Sequence, residues 1–144
     1  MGLVRSIVAR LHPLPRRSCR WSDFDKDEIG RIGEKIAGLA LERAGYKILW
    51  RNYKGSHDGE ADIVARHGKF LVFAEVKART TLKFGRPSAA VTPAKQHLIL
   101  RAAKDWLARL PDDNVPVRMD VVEVLLTDGL RPEVTILADA FGDE

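Results

Sequence analysis

Several things are scarce in this chain of 144 residues. There is one cysteine, Cys19, so no internal disulfide can close, and a disulfide-built secreted scaffold and a cysteine-rich zinc module are both excluded. No apolar run approaches the roughly 20 residues needed to cross a bilayer, so no membrane partner is expected. Arg5 and Arg10 interrupt any signal-peptide core, and no small-residue cleavage site follows an apolar stretch. What is present is ordinary for a globular domain, 45% hydrophobic and 31% charged residues. A chain of this length buries roughly 68–70% of its unfolded surface without a metal or disulfide staple. The expectation is a cytoplasmic domain.

Acid is also missing locally. Residues 1–21 hold five arginines and no Asp or Glu, a net +5. Residues 22–75 hold nine basic and ten acidic residues, −1. Residues 76–110 hold eight basic residues against Asp105 alone, +7, and residues 111–144 hold two basic and nine acidic residues, −7. Two positive blocks suit a phosphate backbone or an acidic protein; solvated helix faces account for them equally well. Residues 1–24 read as a basic flexible arm, with Pro13 and Pro15 stopping any short amphipathic turn, and residues 25–144 as a single domain.

From Asp27 to Ala44, Ile29, Ile32, Ile36, Leu39 and Ala40 fall on one stripe at helical spacing, and Gly45 supplies a stop. Gly30, Gly33 and Gly38 inside this helix each cost roughly 1 kcal/mol relative to alanine, which points to close approach of another backbone. Glu34 lies at the edge of the stripe and points along the seam between helix and sheet. Strands are expected at 46–51, 60–66, 69–77, 117–126 and 133–137, with a loop from Asn52 to Gly59. Thr92-Pro93 is a cap-and-proline start for a helix running to Leu110. The order α-β-β-β-α-β-β describes an α/β or α+β sandwich with a central mixed sheet flanked by helices.

The hairpin carries the chemistry. A turn centred on His67-Gly68 pairs Arg66 with Lys69, Val64 with Leu71, Asp62 with Phe73 and Glu60 with Glu75. Every second residue of a strand keeps to one face, so Glu60, Asp62, Glu75 and Lys77 project together, while Ala61, Ile63, Val72, Ala74 and Val76 form the apolar face. Asp62 and Glu75 are diagonal neighbours at roughly 7–8 Å between backbones. Carboxylates crowded on one face repel, and a hard divalent cation, Mg²⁺ or Mn²⁺, relieves that repulsion while keeping waters for a reaction. Lys77 beside it can orient an attacking water and neutralise charge developing at phosphorus. The bland alternative is that the two acids pair with Lys77 and Arg79 at the wet end of an amphipathic hairpin.

Asp62 with Glu75-Val76-Lys77 resembles the PD-(D/E)xK nuclease motif, and the wider chain resembles the YraN family of bacterial proteins. The matching residues are Gly33-Glu34, Gly45-Tyr46, Arg51-Asn52, Gly59 to Val64, Phe73 to Arg79, Phe84-Gly85 and Lys95, within about residues 29–124. The plan is similar to archaeal Holliday junction resolvases, dimeric enzymes in which a helix glutamate joins the hairpin acids. The resemblance implies a restriction-endonuclease-like core, Asp62, Glu75 and the Val76 carbonyl as metal ligands, Lys77 as the catalytic lysine and Glu34 as the outer acidic partner. Ala61 and Ala74 stand where larger aliphatic residues are usual, a difference confined to packing.

Arg79, Lys83, Arg86 and Lys95 are the candidate nucleic-acid contacts. Lys95 lies in the first turn of its helix, where a cation opposes the dipole, a placement that suits a phosphate. Phe84 can stack a base or tuck onto the sheet, and His57 and Asp58 read as turn residues more than ligands. Asp120 caps an edge, and Trp50 and Trp106 read as core. If the strand at 117–126 lies at an edge, it can pair across a homodimer. The resulting function is a metal-dependent endonuclease hydrolysing phosphodiester bonds in DNA rather than RNA, branched or single-stranded. A non-cleaving nucleic-acid-binding domain that keeps the fold, or a protein-interaction domain that docks an acidic partner, are the alternatives.

Overall fold

The computed structural model describes residues 5–10 (as backbone), 20–81, 83, 91–112 and 114–141. Its elements are β1 Arg5–Arg10, α1 Lys26–Arg43, β2 Lys47–Lys54, β3 Glu60–His67, β4 Phe70–Arg79, α2 Pro93–Ala108, β5 Val117–Leu125 and β6 Glu133–Phe141. The strands form one mixed sheet in the order β1-β6-β5-β4-β3-β2, antiparallel throughout except for the parallel pair β4–β5, which α2 connects as a crossover. This is the α/β arrangement with a central sheet flanked by helices.

Each helix starts on the residue its sequence offers. Asp25 accepts from Glu28 N at 2.8 Å to cap α1, and Thr92 accepts from Lys95 N at 3.2 Å to cap α2, with Pro93 in the first turn. The apolar face of α1, including Ile36, Ala40 and Leu41, packs on Ile63, Val72, Ala74 and Val76. Ile99, Ala102 and Ala103 of α2 pack on Val64, Leu71 and Phe73 from the other side. Burying each Val, Leu, Ile or Phe contributes roughly 1.5–3 kcal/mol, so both faces of the central strands hold the domain together.

The structure departs from the sequence reading in several places. Residues 5–10, read as part of an arm, run antiparallel to β6 from Arg5 opposite Ala138 to Arg10 opposite Glu133. The segment from Arg5 to Arg10 takes up the edge of β6 as a sixth strand. β5 is flanked by β4 and β6, so it is not an edge for dimer pairing. Gly33 and Gly38 do meet close neighbours, Ala78 Cβ and the Arg51 guanidinium, whereas an added Cβ at Gly30 would meet nothing within 4 Å. No helix among the described residues is long and apolar enough to cross a membrane.

Around β5, polar groups gather on a buried carboxylate. Asp120, 0% exposed, accepts from Arg118 Nε and NH2 at 2.9 Å each, from Tyr46 Oη at 2.7 Å and from Asp139 N at 3.0 Å. His67 stacks on Tyr46 with ring centroids 4.0 Å apart, and its Nδ1 lies 2.9 Å from Arg118 NH2. The buried Asp120 carboxylate is therefore satisfied by the part-buried Arg118 inside the sheet instead of capping an edge.

Candidate active site

Pairing between β3 and β4 runs from His67 opposite Phe70 to Ile63 opposite Ala74, which makes Gly68-Lys69 the turn. The expected register, with Asp62 opposite Phe73, is therefore off by two residues. A slip of one would have turned the acids to the wrong face; a slip of two preserves it. The correct register brings Asp62 level with Glu75 instead of diagonal to it. Beyond the last paired rung, Asp62 Oδ2 accepts the Val76 N–H at 2.8 Å, so the carboxylate takes a backbone donor where β3 and β4 part. Ala61 leaves the expected apolar face and packs with Tyr53 in the α2-side cluster.

Two elements deliver the remaining groups. Gly59 lies against α2 so closely that a Cβ there would stand 2.5 Å from Ala102 N. That contact draws the start of β3 under α2, and Lys95 in the first turn of the helix reaches down to bond Glu60 and stands 3.7 Å from Glu75 Oε1. Lys77 Nζ is 3.6 Å from the same Glu75 oxygen. On the α1 side, Gly33 packs on Ala78, and its neighbour Glu34 lines a cavity of about 210 Å³ with Asp62, Arg31, Lys35 and Arg51.

Burial governs the charges. Glu75, 3% exposed, has its carboxyl pushed up to about 8, first by burial and then by the Asp62 charge, against the pull of Lys95 and Lys77. Glu34 is likewise raised, by burial and then by Asp62. Glu60 is lowered by its hydrogen bond from Lys95. Burial works to lower Lys95, but the bond to Glu60 and the charges of Glu75, Glu60 and Asp62 outweigh it and leave the ammonium raised. Lys95 thus belongs to the acidic cluster, a role its place in the sequence gave no sign of.

Among the described residues no three His, Cys, Asp or Glu side chains stand close enough together to hold a metal by themselves. Asp62 and Glu75 are nevertheless a hard-oxygen pair, and Oε2 of Glu75 is buried with no hydrogen-bond partner among the described residues. An unsatisfied buried carboxylate oxygen costs about 1–3 kcal/mol or more, and a divalent cation is the kind of group that satisfies it. The residues present fit Mg²⁺ or Mn²⁺.

Of the other candidates, Arg79 donates to its own neighbour's carbonyl, Ala78 O, at 3.3 Å, and Lys83 N donates to Thr81 Oγ1 at 3.1 Å. Arg86 and Phe84 lie outside the described residues. His57 is exposed in the β2–β3 turn with its Nδ1 3.1 Å from Ser56 Oγ. Trp50 is no core residue: it is 55% exposed, because the β2–β3 register shifts between Ile48 and Trp50. Sequence reading also missed Arg31, Lys35 and Arg51 as neighbours of Asp62: the first two lie on α1 and the third on β2, and nothing in the sequence shows that these elements meet there.

The profile of the Uncharacterised protein family UPF0102 matches residues 33–124, the span that holds Glu34, Asp62, Glu75, Lys77 and Lys95. A UPF0102 protein of Geotalea daltonii is 43% identical over 117 residues, 81% of this chain and 91% of its own length. Another from Beutenbergia cavernae is 48% identical over 102 residues, 71% of this chain and 86% of its own length. A third, from Chlorobium phaeobacteroides, is 39% identical over 125 residues, covering 83% and 98%. With the acidic hairpin inside the matched span and the likeness running through most of both partners, the chain belongs to the uncharacterised, YraN-like protein family UPF0102.

Proposed function

We propose that this protein is a divalent-metal-dependent endonuclease of PD-(D/E)xK type, similar in plan to archaeal Holliday junction resolvases, acting on DNA rather than RNA. The observation that carries the reading is the carboxylate pair of half-buried Asp62 and buried Glu75, with an oxygen of Glu75 unpartnered among the described residues and Lys77 beside it. Asp62, Glu75 and the Val76 carbonyl would hold Mg²⁺ or Mn²⁺, and the ion when bound supplies Lewis-acid polarisation of a phosphodiester. Lys77 orients the attacking water and stabilises charge growing on the phosphoryl oxygens. Asp62, tied to the Val76 N–H, keeps the two strands in register at the reacting centre. Glu34 supplies the outer carboxylate, and Lys95 holds Glu60 and Glu75 in place. A homodimer belongs to this reading.

Cleavage of a panel of single-stranded, duplex and branched DNA in Mg²⁺ or Mn²⁺ tests it. Asp62→Ala and Lys77→Ala are each expected to lower turnover by at least about 100-fold, the usual contribution of one acid–base or electrostatic group. Unchanged activity in either variant overturns the reading. One observation favours a second, non-cleaving function: the Lys95 ammonium already offsets the Glu75 charge. In that case salt-sensitive DNA binding survives Glu75→Ala, and no divalent ion gives turnover.

A further inference from the structure

We propose that the cavity between β2 and the end of α2 is a binding subsite for an unpaired nucleobase and its phosphate. For substrate choice this rests on the nuclease reading, which it narrows to single-stranded or branched nucleic acid. The cavity measures about 490 Å³, within the roughly 300–1,000 Å³ range of ligand pockets. Its walls are aromatic. Trp50 meets Tyr53 edge-on at 6.5 Å, and Tyr53 meets Trp106 at 5.1 Å. Trp50 keeps 55% of its surface exposed, an indole open to a planar partner.

The polar part of the lining has one sign. Lys54 and Arg109 line the cavity, together with the Asn52 amide, and no carboxylate does. Asp105, which pairs with Arg109 at 3.4 Å, is turned to Tyr53 and Ser56. Aromatic faces beside the cations Lys54 and Arg109 suit a base attached to a phosphate better than a purely apolar protein segment.

The location links the cavity to the acids. Arg51 lies opposite Ile63 and Tyr53 opposite Ala61, so Asn52 between them stands level with Asp62, one strand spacing of about 4.7–4.9 Å away. Lys54 is the register partner of Glu60. A base seated against Trp50 therefore leaves its backbone beside the edge behind which Asp62 and Glu75 lie. Bases inside a duplex present no free face, so only an unpaired or flipped base enters.

The test is binding of the full chain to a short fluorescent thymidine oligonucleotide and to a blunt duplex, in EDTA so that no cleavage occurs. The oligonucleotide is expected to quench tryptophan emission. Trp50→Ala should weaken its binding roughly 5- to 100-fold, the effect of one lost stacking contact, with duplex affinity unchanged. Trp50→Phe, which keeps a ring, should restore most of it. Oligonucleotide binding by Trp50→Ala that equals the wild type overturns the proposal and leaves the cavity to a protein partner; equal loss for oligonucleotide and duplex also overturns it. Asp62→Ala separates the two readings. Trp50-dependent binding in a protein that never cleaves sinks the nuclease assignment and upholds the base site, whereas cleavage abolished by Asp62→Ala without any Trp50 dependence does the reverse.

Discussion

Glu75 sits on an inner strand with one carboxylate oxygen facing Lys77 and Lys95 and the other facing no donor among the described residues. With its carboxyl pushed up to about 8, Glu75 is mostly protonated at neutral pH, and a bound cation would draw it into the charged form and turn that charge into a source of stability. In EDTA, Glu75→Gln should therefore melt at the same temperature as the wild type or higher. Saturating Mn²⁺ should raise wild-type stability by about 1–3 kcal/mol and leave Glu75→Gln unmoved. Differential scanning fluorimetry with and without the ion measures both, and an ion-dependent shift retained by the variant would remove Glu75 from the metal site.

His67 makes a pH prediction at the same scale. Burial, and after it the Arg118 charge, hold its imidazole below the ordinary 6.5. As pH falls below about 6.5, the unfolded chain takes up a proton that the folded protein resists, so this contribution to stability is present above that pH and lost below it. His67→Gln keeps an acceptor for Arg118 without the titration. It should lessen the fall in melting temperature between pH 7.5 and 5.5 by about 1–4 °C, a modest effect because the ring is part-exposed.

Elements are positioned by small residues. Gly59 lets the start of β3 touch the backbone of α2, and that contact brings Lys95 to Glu60 and Glu75. Gly59→Ala must push α2 away, at a cost of about 1–3 kcal/mol seen as a lower urea midpoint. Cleavage should fall more than the stability loss explains, because Lys95 moves with the helix. This part of the site was invisible in the sequence: a glycine before an acidic strand reads as a turn former, and only the docked helix shows its second use. Alternation of apolar residues did reveal β3 and β4 and the shared face of Asp62, Glu75 and Lys77, since that face survives an even slip of register. The bulge that turns Trp50 outward leaves no trace in the pattern of apolar residues, so the indole read as core.

For the molecule as a whole, formal charge overstates what is offered to a polyanion. Within the +7 stretch, Lys77 and Lys95 face Glu75, and Arg109 faces Asp105. With these three of the eight cations engaged by carboxylates, DNA affinity between 50 and 200 mM salt should drop roughly 10- to 50-fold, the loss for two or three phosphate contacts rather than for all eight. A fluorescence-anisotropy titration checks this, and a thousandfold drop would show that the arginine-rich N-terminus dominates binding. The fold class was legible from the order of patterned segments, whereas the pairing of residues 5–10 with β6 was not, because four residues between two arginines carry too little pattern to separate an edge strand from a loose arm.

The acids stand on inner strands and the aromatic cavity between the outermost strand and α2, so under the proposed function hydrolysis and the choice of substrate would have separate addresses in the chain. Trp50 and Tyr53 can be exchanged without touching the cavity that Asp62 lines, whereas Arg51 and Asn52 of the same strand line it beside Asp62. On that proposal, a ligand seated on Trp50 would block entry of a base without competing for the ion, and exchanging Trp50 and Tyr53 alone would alter which strands bind while Asp62 and Glu75 stay as they are.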